Sequence, residues 1–262
     1  MIRPVWNPGL PEMPVMVTLA AAGTAEKTAP ARTAAASVTI TGISGNPGFQ
    51  TGRIIYTPGG IGGSPSNTAQ NLYIGRIRMT GIDNSTLAPV TFDAYCIDIF
   101  NWLQNGTFDL QAFSLPDAVK RGQVEKLLGH TAGFIDGAAT AAQGRNISAA
   151  IQMAIWEIVN EAGTGGYSLD NGLFQVGSSY GTVVSSGSRA LAQGYLNDLS
   201  GWATPTGYRY TMMTAINPQN NQRQVFLAAV VPEPSAWALL ILGFGLVGGA
   251  MRQRRRAAIA FG

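Results

Sequence analysis

The residue types that carry most protein chemistry are nearly missing from this 262-residue chain, which has one cysteine, Cys96, and one histidine, His130. A lone cysteine rules out an internal disulfide, and one imidazole with one thiol leaves no cluster at metal-ligand spacing. No metal or cofactor is therefore expected. Charge is scarce as well, with 12% of residues charged against 46% hydrophobic, which excludes a highly charged disordered chain. The net charge of +3 depends on four arginines near the C-terminus; without them it is −1. No basic patch remains, and nucleic acid drops out as a partner. Long apolar runs are absent from the body of the chain. The one exception lies near its end.

That end reads VPEPSAWALLILGFGLVGGAMRQRRR from Val231 to Arg256. Pro232-Glu233-Pro234 is a rigid extended tripeptide, because each proline fixes its own φ and disfavours helix in the residue before it. Residues 236–251 contain no charged side chain, and as a helix they would reach about 24 Å, against about 30 Å of hydrocarbon core. Trp237 at one end, with Arg252, Arg254, Arg255 and Arg256 at the other, would extend the span at the two interfaces. Gly243, Gly245 and Gly248 spell a dinucleotide fingerprint, but no strand–helix unit surrounds them. Glycines packing a membrane helix are the better account.

These features resemble the PEP-CTERM sorting signal of Gram-negative bacteria, in its PEPxxWA form. The resemblance rests on Pro232, Glu233, Pro234, Trp237, Ala238, the Gly-Phe-Gly at 243–245 and the arginine cluster. It implies recognition by an exosortase-type membrane protease, with the inner membrane engaged through residues 236–251. It also implies a periplasmic ectodomain during sorting, then release to the cell surface or extracellular matrix. Three segments follow: a weak signal peptide or mis-started leader with linker over 1–36, an exported ectodomain over 37–230, and the sorting signal over 231–262.

Within the ectodomain, alternating apolar residues predict strands at Ser37–Thr41, Gly52–Tyr56, Leu72–Met79 and Val90–Phe100. The period of two places Phe92, Ala94, Cys96, Asp98 and Phe100 on one face. Spacing then turns helical: Ser114 to Leu128 stopping at Gly129, a second helix capped by Asn146 or Ser148 and running to about Glu161, and a third capped by Ser188 with Leu191, Tyr195 and Leu199 inward. Strands return at Tyr208–Ile216 and Gln224–Val231. The expected class is α+β: a β-rich sandwich or barrel-like ectodomain with an inserted helical segment, plus one C-terminal transmembrane helix.

Two short segments carry the candidate chemistry, Tyr95-Cys96-Ile97-Asp98 and Ala150-Ile151-Gln152-Met153-Ala154-Ile155-Trp156. Together they resemble the Cys–Gln thioester domains of bacterial surface adhesins. That resemblance implies a Cys96 thiol bonded to the Gln152 carboxamide carbon, in a pocket with Tyr95, Asp98 and Trp156. Such a bond would be a single-use electrophile for an amine-bearing surface ligand. An amide yields to a thiol only when held in near-attack geometry, and enclosure would keep water from the product. Asp98 beside the thiol would raise its pKa, so it would orient more readily than activate.

Two other readings stand beside this one. A lone strand cysteine is commonly a small buried hydrophobe, and Gln152 lies beside the aliphatic stripe of its helix. An inert pair would leave a structural or exopolysaccharide-associated matrix protein. A secreted hydrolase built on His130 is the remote alternative. In neither leading reading is the protein an enzyme.

Overall fold

The computed structural model describes residues 36–57, 61, 70–176, 185–229 and the single position 244. The leader, the proline tripeptide, the apolar run and the arginines lie outside the described residues, and with them the transmembrane and signal-peptide expectations. Among the described residues no helix is long and apolar enough to cross a membrane.

Strands come first: β1 (Ser37–Gly45), β2 (Gln50–Tyr56), β3 (Gln70–Ile74), β4 (Ile77–Asp83), β5 (Pro89–Cys96) and β6 (Gly106–Ala112). Then follow α1 (Ala118–His130), α2 (Ala141–Asn160), β7 (Phe174–Val176), α3 (Ser186–Asp198), β8 (Tyr208–Asn217) and β9 (Gln224–Ala229). Six strands close into a barrel in the order β1-β4-β5-β9-β8-β6, and β3-β2-β7 form a separate three-stranded sheet. The expected barrel-like body with an inserted helical segment is what forms.

Several boundaries differ from the sequence reading. The single strand expected over Leu72–Met79 is two strands in different sheets. Gly75 breaks it, at φ 145°, where a side chain would sit 2.8 Å from the Ser148 hydroxyl. That hydroxyl accepts the Arg76 amide at 2.6 Å, so the break is fastened to α2. The strand expected to reach Phe100 ends at Cys96. Asp98 turns the chain instead, accepting the Phe100 amide at 2.7 Å and the Asn101 side-chain amide at 2.8 Å. β6, unforeseen, closes the barrel between β1 and β8.

Helix starts are set by different caps. Asp117 caps α1 through the Val119 and Lys120 amides, Thr140 caps α2 through Gln143, and Ser185 caps α3 through Ser188. Gly129 does not stop α1; it lies inside the helix, where a side chain would strike Pro205. Leu191, expected inward, is exposed, and Ala192 and Leu196 face the core instead. α2 runs between α1 and α3 and also touches β2, β3, β5 and β7. This explains why all residues from Ile147 to Ile158 are buried or nearly so.

Candidate functional site

Cys96 ends β5, where the strand pairs with β9. Tyr95 pairs with Val225, and Cys96 stands directly opposite Gln224. Directly opposed residues of an antiparallel pair send their side chains to the same face, about 5 Å apart. The Cys96 and Gln224 side chains therefore share one buried space, the thiol residue 5% exposed and the glutamine fully covered.

Three glutamines converge on this cysteine. Gln152 of α2 accepts the Cys96 amide at 2.9 Å and donates to the Cys96 carbonyl at 2.8 Å, a two-point clamp on the main chain. The helix and the cysteine that the sequence paired are thus in contact, through the Cys96 backbone and not its sulfur. The thiol donates to Oε1 of Gln222 at 2.8 Å, and Nε2 of Gln222 donates to the Asp98 carbonyl. Gln224 has the freest carboxamide. Its Nε2 lies 3.3 and 3.5 Å from the two Gln222 oxygens, its side chain also acts on the Cys96 thiol, and its buried Oε1 has no partner among the described residues.

The turn that delivers these two glutamines is held by Asn221. Its Oδ1 accepts the amides of Gln104 and Gln222 at 2.8 and 2.9 Å, and its Nδ2 donates to the Gln104 carbonyl at 2.7 Å. The Ile97 amide donates to the Arg223 carbonyl at 3.1 Å, extending the β5–β9 seam by one rung. Gln222 and Gln224 were not picked out from the sequence. The signal available was two glutamines two residues apart at the start of a strand.

Burial pushes the Cys96 thiol up to about 12; a hydrogen bond from Gln224 opposes this and the Asp98 charge adds to it. The resting sulfur is a protonated thiol. Asp98 is itself buried, and its oxygens are occupied by the turn it makes. Trp156 is buried with its ring 6.2 Å from Phe174 of β7, and its indole N–H has no partner among the described residues. Tyr95 points to the opposite face of β5 from Cys96. It lines a separate cavity.

His130 stacks on Trp202 at 3.9 Å and meets Phe134 edge-on. The Gly177-Ser178-Ser179-Tyr180-Gly181 run has the spacing of a nucleophile elbow but falls outside the described residues. Nothing among the described residues links His130 to a hydroxyl nucleophile.

The tail has a family counterpart. Residues 230–256 match the PEP-CTERM protein-sorting motif. That motif implies processing by an exosortase-type membrane protease and membrane-associated sorting to the cell surface. No curated protein sequence matches the chain. Three solved structures resemble it distantly. The N-terminal domain of the Streptococcus pyogenes pilus tip adhesin Cpa is 10% identical, with 60% of this chain and 86% of that one covered and a TM-score of 0.42. The N-terminal thioester domain of a protein F2-like fibronectin-binding protein from Streptococcus pneumoniae is 15% identical, with 74% and 98% covered and a TM-score of 0.38. The N-terminal thioester domain of the fibronectin-binding protein SfbI from Streptococcus pyogenes is 13% identical, with 60% and 87% covered and a TM-score of 0.36.

Proposed function

We propose that this protein is a surface-displayed adhesin whose barrel forms an internal thioester between Cys96 and a buried glutamine. The observation that carries this is a lone buried thiol held among three glutamine carboxamides. The geometry favours Gln224 as the acyl partner over the Gln152 indicated by sequence resemblance. Loss of the Gln152 amide nitrogen would strip a hydrogen bond from the buried Cys96 carbonyl, and loss of the Gln222 nitrogen would strip one from Asp98. Each orphaned buried acceptor would cost about 1–3 kcal/mol. Loss of the Gln224 nitrogen breaks two long contacts with Gln222, and its interaction with the thiol gives way to the new bond itself.

The reaction balances without a cofactor. The sulfur bonds to the carboxamide carbon, the carbon–nitrogen bond breaks, and ammonia leaves carrying the thiol proton. Gln152 fixes the Cys96 main chain and Gln222 orients the thiol, so the sulfur approaches in one geometry. Burial excludes water from the product. An amine on a partner surface would then open the bond once, leaving a permanent amide. This is a single event and no turnover follows.

The test is the intact mass of the purified full-length protein, followed by methylamine treatment and peptide mapping. The expected mass is short by one ammonia, the deficit vanishes in Cys96→Ala, and methylamine is recovered on residue 224. Recovery on residue 152 would restore the sequence-based pairing. A full mass with a thiol that titrates on unfolding would leave a non-reactive matrix protein with an inert cysteine.

A further inference from the structure

On the far side of β5 from the thiol lies a cavity of about 200 Å³, lined by Arg76, Asp93, Tyr95, the loop from Thr131 to Asp136, and Phe226 with Leu227. Tyr95 is 93% buried and lines the cavity wall, with no hydrogen bond from its hydroxyl to a described residue. A phenol hydroxyl on a cavity wall, not engaged by the described residues, is free to bond to a group that enters the cavity. Arg76 lines the same cavity as Tyr95. Burial raises the Tyr95 pKa and Arg76 opposes that rise, so the phenol enters as a neutral donor.

The charges around the cavity cancel. Arg76 pairs with Asp136 at 3.0 Å, and Arg78 holds Asp93 through two bonds of 3.0 and 2.9 Å. A charged ligand would lose its hydration here without gaining an unpaired counter-ion. A neutral ligand with several hydroxyls would instead find planar donors and acceptors on one side and apolar walls from Leu128, Ile135 and Phe226 on the other. The volume is below the roughly 300 Å³ at which drug-sized sites begin. It suits a single ring.

We propose that this cavity binds one uncharged sugar ring, with the Tyr95 hydroxyl and the Arg76 guanidinium as its recognition groups. The site is independent of the thioester and shares none of its acting side chains.

The experiment uses the full chain in a detergent without a sugar headgroup. Saturation-transfer NMR is recorded with glucose, galactose, mannose and N-acetylglucosamine, and with glucuronate as the charged comparison. At least one neutral sugar should bind, glucuronate should bind at least tenfold more weakly, and Tyr95→Phe should weaken the neutral sugar about tenfold. That loss is what one hydrogen bond of about 1.4 kcal/mol gives. Ala132→Phe, which fills the cavity from its loop wall, should abolish binding and serves should Tyr95→Phe fail to fold. Absence of binding by every neutral sugar overturns the proposal, as does binding unaltered in either folded variant or a preference for glucuronate.

Discussion

Glu157 is the residue whose environment departs furthest from its chemistry. It is fully buried in α2, with Oε1 accepting the Ser168 amide at 2.8 Å and Oε2 without a partner among the described residues. Burial pushes its carboxyl up to about 8, the Ser168 bond and Lys120 oppose, and Glu161 adds. Because the folded pKa lies above the unfolded 4.5, the folded state holds the proton more tightly. Its contribution to stability is full below about pH 4.5 and is lost as pH rises through about 8. A melting series in pH should show the ectodomain weakening across that window, by up to about 1.4 kcal/mol per pH unit. Glu157→Gln, which keeps the acceptor for Ser168, should flatten the series. An unchanged slope in that variant would mean the proton sits elsewhere.

Elements were legible where one face is buried and the other is wet. Val38 and Ile40 in β1 announced themselves by period. Where an element is covered on all sides the period disappears, so Gln152 could not be told from a solvent-facing residue. Helix starts were misplaced because Thr140 and Asp117 were as eligible as the serines and asparagine chosen. The break at Gly75 was hidden inside a run of strand-forming residues. Its left-handed backbone and the nearby Ser148 hydroxyl make it testable: Gly75→Ala should cost about 1–3 kcal/mol in denaturant unfolding. A neutral result would mean that β3 and β4 can join without that turn.

At the scale of the molecule, the thiol's neighbours come from α2 and from the turn before β9, 56 and 126 residues from Cys96 in sequence. Pairwise resemblance caught the first. The second needed the barrel closed, since only the β5–β9 register brings position 224 opposite position 96. The sorting motif, by contrast, is local and was readable in full from the residues at 230–256. A chain ending at residue 229 should retain its barrel strands and lose its cell-surface fraction, assayed by fractionation with an epitope tag. Surface display without those residues would assign delivery to another part of the chain.

The last barrel strand stops at Ala229, and the sorting motif starts at the next residue. A pull applied from the membrane end would therefore load β9 before any other strand, along a seam that among the described residues has two paired positions to β5 and one further rung at Ile97. Hydrogen bonds there could be unzipped one rung at a time. A covalent tie from 96 to 224 would act as a rivet at the far end of the strand that takes the tension.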